Sequence, residues 1–210
     1  MIEAYDTATF KQSINAQELL GILVDRYGDI FTDIVYDTTT PTDIKELWVS
    51  DEICITYVSG TSIKFVHSNG YEATMAGTST TFTRFYITKF DNCLLVMNSN
   101  TFATSTLFFI IAKTIDSNEN NSQGIITRSG TSSNVKLFTD NMNTDNVGYD
   151  KLTNNSVYST VLAPLYAITG DESFTDIYYS VLSKATDYGQ VILNGKKFYM
   201  ITNNIAIAYT

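Results

Sequence analysis

Downstream of "TTTPTD" (38–43) the apolar residues recur at every second position, in short runs cut by Ser-Gly, Asn-Gly, Ala-Gly and Asp-Asn breaks. That spacing belongs to strands, whose side chains alternate between two faces, and not to helices, whose faces repeat every 3.6 residues. "ELWVSDEICITYVSG", "TSIKFVHSNG", "YEATMAG", "TFTRFYITKFDN" and "CLLVMNS" are rich in β-branched and aromatic residues, so antiparallel pairing is expected. The fold predicted is mainly β, an antiparallel sandwich or barrel-like arrangement with one N-terminal helix, with α+β as the alternative. Within "TSTTFTRFYITKF", Phe82, Arg84, Tyr86 and Thr88 share one face, and Thr83, Phe85, Ile87 and Lys89 the other. Aromatics on both faces predict a strand covered on both sides. "TSTLFFIIAKTID" is nearly continuously apolar and is the candidate central strand.

The first 31 residues read differently. Asn15-Ala16-Gln17-Glu18 has the form of a capping box, and Leu19, Leu20, Ile22, Leu23 and Tyr27 follow at helical spacing. A helix is predicted over about 16–27, with an earlier turn around 8–13 and a left-handed cap at Gly28.

Farther along, "DSNENNSQG" (116–124) reads as a loop, and "GIITRSG" with "SNVKLFTD" as a hairpin. "NMNTDNVGYDKLTNNS" (141–156) is the longest loop-like segment. It divides a region 1–140, helix plus antiparallel strands, from a C-terminal β-meander subregion 141–210 packed in the same domain. "DESFTDIYYSVLSKATDYG" (171–189) fits either a helical stripe or a strand. The tail "GQVILNGKKFYMITNNIAIAYT" is clearer. A two-residue Asn194-Gly195 turn pairs Leu193 with Lys196, Val191 with Phe198 and Gly189 with Met200. Asn203-Asn204 then turns the chain into a third strand in which Ile205, Ile207 and Tyr209 alternate with Ala206 and Ala208.

Composition excludes several functions. A net charge of -9 leaves no basic groove to neutralise phosphates, so nucleic acid is not an expected partner. The longest apolar run, Leu107 to Ala112, is far below the roughly 18 residues of a membrane span. The start, "MIEAYDTATFKQ", has neither the basic nor the apolar part of a secretion signal, which points to synthesis in a cytoplasm. Cys54 and Cys93 each sit in apolar runs and read as buried free thiols. No metal or cofactor is expected.

No residue set carries a catalytic signature. His67, the single histidine, lies near a strand end beside a turn; a pairing with Cys54 or Cys93 oriented by Asp91 is conceivable, but an ordinary strand-end histidine is the plainer reading. "DSNENNSQGIIT" begins like a calcium loop at Asp116, Asn118 and Asn120, then has Asn121 where Gly is needed and Thr127 where Glu is needed. Asp51-Glu52 and Asp171-Glu172 are adjacent carboxylates that a strand would send to opposite faces, and they read as turn residues. Tyrosine is the remaining signal, with 14 in the chain. Tyr178, Tyr179, Tyr188 and Tyr199 are the candidates for an interface or ligand platform, beside the plainer reading as half-buried strand positions.

The segment "DIYYSVLSKATDYGQVILNGKKFYMITNNIAIAYT" (176–210) resembles the C-terminal region of small structural proteins of tailed bacteriophages that infect gut Clostridia. The matching positions are Gly189, Asn194, Gly195, Tyr199, Asn203 and Asn204, with Ile205 or Ile207 standing where that family often has an aromatic. "TLFFIIAKTIDSNENNSQGIIT" is more loosely similar to a hairpin of the same family. The resemblance favours an extended 176–182. It implies a virion component, not an enzyme, made in the bacterial cytoplasm, placed in capsid decoration or in the tail and baseplate. Its partners would be copies of itself and other virion proteins. The alternative is a module that contacts a host-surface glycan or receptor through Tyr/Asn-rich loops.

Overall fold

The computed structural model describes residues 7–9, 14–76, 85–98, 107–128, 135–141, 163–166, 172–179, 190–193, 195–202 and 205–209. A short strand, β1 (Thr7–Thr9), precedes the helix α1 (Ala16–Tyr27). The capping box forms as the spacing predicts: Glu18 N–H donates to Asn15 Oδ1 at 2.8 Å, and Asn15 N–H donates to Glu18 Oε2 at 2.7 Å. Leu19, Leu20, Leu23 and Tyr27 turn inward. The helix ends otherwise than expected. Gly28 is right-handed, with φ -58°, and runs into a 3-10 turn over Gly28–Ile30 that closes by Phe31 N–H on Gly28 O. The helix tightens into its exit, so no left-handed cap is required. Of the turn expected around 8–13, Thr7–Thr9 is strand paired with Tyr86–Thr88; 10–13 lie outside the described residues.

Five antiparallel strands follow in chain order: β2 (Asp33–Tyr36), β3 (Ile44–Trp48), β4 (Ile53–Ser59), β5 (Ser62–His67) and β6 (Glu72–Ala76). Four residues, one of them Asp, are too few for a period to announce β2. Gln17 of the helix docks on this sheet as a strand residue would, donating from Nε2 to Ile44 O at 2.8 Å and accepting from Ile44 N–H at 2.9 Å.

The remaining strands are β7 (Tyr86–Lys89), β8 (Cys93–Met97), β9 (Phe108–Ile115), β10 (Asn121–Arg128), β11 (Lys136–Phe138), β12 (Ala163–Tyr166), β13 (Ser173–Tyr179), β14 (Gln190–Leu193), β15 (Lys196–Thr202) and β16 (Ile205–Tyr209). With β1 they form an eleven-stranded antiparallel sheet. The polar segment 116–124 is half loop and half strand, because only Asp116–Asn120 turns and Asn121 already pairs with Ile115. Residues 173–179 are extended, which settles the helix-or-strand ambiguity in that part of 171–189.

The apolar strand β9 is central, as its continuous run predicts. Phe109 and Ile111 face a first core, shared with Leu19, Leu23, Ile55, Phe65 and Phe138. Phe108, Ile110 and Ala112 face a second core, shared with Leu95, Phe174, Ile201, Ile205 and Ile207. Strand β7 is likewise covered on both sides, Ile87 in the first core and Tyr86 against the second. Because β8 and β15 are far apart in strand order yet meet in the second core, the large sheet curls round it. The architecture is thus mainly β and sandwich-like, with a single N-terminal helix. Among the described residues no helix is long and apolar enough to cross a membrane.

One edge of β9 carries two partners. β8 pairs with it from Phe108 to Ala112, and β13 pairs with it at Thr114 and Ile115. Past Phe174, β13 leaves β9 and joins β16 from Ile177 onward. Asp176 lies between, with a positive φ of 61°. That conformation is costly for a residue with a Cβ and kinks the strand at the branch. Asn92 Nδ2 donates to Asp176 Oδ2 at 2.5 Å and fastens it there.

Strands β14, β15 and β16 form the expected meander with the expected register: Leu193 with Lys196 and Val191 with Phe198. Gly195 has φ 79°, as a two-residue hairpin turn requires. Ile205 and Ile207 face the second core, while Ala206 and Ala208 pack with Phe198 on the other side.

Candidate functional site

A cleft of about 740 Å³ opens where the β3–β4 turn, the 3-10 turn, the β7–β8 turn and the β9–β10 hairpin converge. Its polar lining includes Ser50, Asn92, Ser122, Gln123, Asp140 and Glu172. Most of these groups are committed to holding elements together. Ser50 Oγ donates to Asp140 Oδ1 at 2.5 Å, and Ser122 Oγ donates to Asp140 Oδ2, so one carboxylate ties the five-stranded sheet to β10. Glu172 is 2% exposed. Thr114 Oγ1 donates to its Oε1 at 2.5 Å, and Asn141 N–H donates to its Oε2 at 3.2 Å. Glu172 is therefore a buried, partnered acid and not the turn residue its neighbour Asp171 suggests; Asp171 lies outside the described residues. Gln123 Nε2 donates to Ile30 O at 2.9 Å. Thr139, Asp140 and Asn141 thus form a hub to which both sheets are tied.

His67 belongs to that hub. It is 3% exposed. Asn69 N–H donates to His67 Nδ1 at 3.1 Å, so the ring proton sits on Nε2 and donates to Thr139 O at 3.0 Å. Both nitrogens are occupied by these hydrogen bonds. Cys54 and Cys93 are free and buried, and burial pushes both thiols up, Cys93 the further. A raised thiol is a poor nucleophile at neutral pH. Asp116 accepts from the N–H groups of Asn118 and Asn120 and from Asn120 Nδ2, which makes it the organiser of a tight polar turn. Its carboxyl is held below the ordinary value, chiefly by the Asn120 side chain and then by the Asn120 N–H. Among the described residues no grouping of three His, Cys, Asp or Glu side chains is placed to hold a metal ion.

The structure separates the tyrosines named as a platform. Tyr178 meets Phe198 edge-on at 5.4 Å, with Lys196 Nζ 2.8 Å from its hydroxyl. Tyr199 lies on the opposite face of the meander against Phe90, with ring centres 5.8 Å apart. Tyr179 pairs in register with Ile205; its side chain and the whole of Tyr188 lie outside the described residues.

Sequence spacing does not reveal the cleft or the hub, because Ser50 and Asp140 are 90 residues apart. The meander carries a surface feature of its own. β14 ends the large sheet, pairs only with β15 among the described residues, and exposes Ile192 to 69%. Neither family models, nor curated proteins, nor solved structures match this chain.

Proposed function

We propose that this protein is a structural component of a bacteriophage virion, in capsid decoration or in the tail and baseplate, and that it works through contacts with copies of itself and with other virion proteins. The observation that carries this reading is β14: an edge strand of Gln, Val, Ile and Leu with no charge or proline, and with its Ile192 in solvent. Natural sheets blunt such edges with lysine, proline or bulges, because an open edge is a template for pairing with another chain. The resemblance of 176–210 to phage structural proteins supports the setting. Light scattering over a wide concentration range tests it: association that grows with concentration is expected, and a strict monomer throughout would sink the self-assembly reading.

A second reading, a module that binds host-surface glycans, draws its support from the cleft, whose walls carry the amide side chains of Asn92, Asn120, Asn121, Gln123 and Asn141. Amide and carboxylate groups recognise vicinal hydroxyls by hydrogen bonding. A glycan array with Asn121→Ala as control separates the readings, since saturable binding lost in the variant would favour the module.

A further inference from the structure

We propose that copies of this chain join head to tail, strand β14 of one copy adding antiparallel to the free edge of β2 in the next. The inference rests on the self-assembly reading and names the two surfaces that would carry it.

Among the described residues six strands end a sheet or a branch of one: β1, β2, β6, β11, β12 and β14. They are not equivalent as acceptors for β14. β12 holds Pro164, which lacks an N–H to donate to a partner. At β6, Glu72 is paired with Lys64 at 3.0 Å, and Lys136 of β11 reaches Glu72 O at 2.9 Å, so the β6 and β11 edges are locally basic. β1 carries no charge. β2 is the most acidic: it begins at Asp33 and is flanked by Asp37 and Asp43, with Lys45 beside Asp37, while nearby Asp29 is paired with Lys89 at 3.3 Å. Asp37 stays ionised because the N–H groups of Thr40 and Thr39 hold its carboxyl below the ordinary value.

The β14 side has the opposite sign. From Gln190 to Tyr209 the chain has Lys196 and Lys197 and no Asp or Glu, in a protein of net charge -9. Pairing β14 with β14 sets Lys196 and Lys197 of one copy against those of the other, with Asp91 and Asp176 in the concavity beside each pair, and pairing β2 with β2 gathers Asp33 and Asp37 of both copies. The mixed pair sets lysines against acids. The lengths also agree, since both strands have four residues. Antiparallel alignment sets Leu193 opposite Asp33, Ile192 opposite Ile34, Val191 opposite Val35 and Gln190 opposite Tyr36, which is 44% exposed. Leu193 already pairs with Lys196, so Lys196 and Asp33 fall in one cross-strand row, about 10 Å apart at the backbone by two strand spacings. An extended lysine covers most of that distance once its Nζ leaves the Tyr178 hydroxyl, 2.8 Å away in the free chain. Two different surfaces make the contact heterologous, and it continues into a ring or a filament.

Sedimentation velocity and light scattering on the full chain, at low and high salt, provide the test. Species larger than a dimer are expected, weakened by salt. Ile192→Asp, Lys196→Glu and Asp33→Lys should each weaken association at least tenfold with unchanged circular dichroism, and Lys196→Glu combined with Asp33→Lys should restore it. Association that ignores Asp33→Lys, or stops at a dimer, overturns the head-to-tail pairing while leaving self-assembly standing. A wild-type monomer at every concentration overturns both.

Discussion

Two backbone positions bear a load that side-chain chemistry does not reveal. Gly124 on β10 sits so close to its neighbours that an added Cβ would lie 2.5 Å from Phe138 O and 2.7 Å from the Phe174 ring. The ring can shift, but a strand carbonyl cannot move without its ladder. Gly124→Ala is expected to cost about 2 kcal/mol in urea denaturation, and trimming Phe174 in the same chain should not recover it. Asp176 is the second position, left-handed inside a strand. A β-branched residue tolerates that conformation worst, while asparagine visits it readily and still offers Asn92 an acceptor. Asp176→Val should therefore be less stable than Asp176→Asn by about 2 kcal/mol, read as a difference in denaturation midpoints. Neither role is legible in the chain. A glycine in an alternating run signals a close approach without saying to what, and no local pattern marks an aspartate that must kink where a sheet divides.

Strands and helix, in contrast, were largely readable, because the energetics that form them are local or nearly so. The Asn15–Glu18 box, the apolar run of β9 and the register of the C-terminal meander each follow from neighbours within a turn or a hairpin. Reading failed at the ends and at short pieces: the exit of α1 at Gly28, the first residues of β10, and the whole of β2. In those places tertiary contacts decide what propensity leaves open. Turns also carry the acid sensitivity. Asp37 and Asp116 have carboxyls held below 3.8 by the N–H groups they cap, with the Asn120 side chain foremost for Asp116. A lowered carboxyl contributes stability above its unfolded pKa, and that contribution is lost as pH falls through the folded value. Carbon-detected NMR should place both midpoints below 3.8, and Asp37→Asn should flatten the acid limb of the stability curve.

The layers are joined through β9, which gives one face to each core, and through the Thr139–Asn141 hub. Unfolding is accordingly expected to be a single event. Trp48, the one tryptophan, lies in the five-stranded sheet, whereas Ile110 lies in the second core. Ile110→Ala should lower the stability reported by Trp48 fluorescence by about 3 kcal/mol, with the same midpoint by far-UV circular dichroism; separate midpoints would show that the layers unfold independently. The cleft and the hub were invisible in the sequence because their bonds join residues 18 to 93 positions apart, brought together by strands that know nothing of them.

The branch at β9 also dictates a sequence of events during synthesis. The edge beyond Ala112 waits for Ser173 and Phe174, which leave the ribosome some 60 residues after β9. Until they arrive, the edge of β9 at Thr114 and Ile115 away from β10 is open, and the second core lacks Phe174, Ile177 and the isoleucines of the meander. At translation rates of roughly 5–20 residues per second, that interval lasts several seconds. A nascent chain is thus stickiest in the interval before Ser173 and the meander emerge, and expression on a slowed ribosome should favour aggregates over folded product.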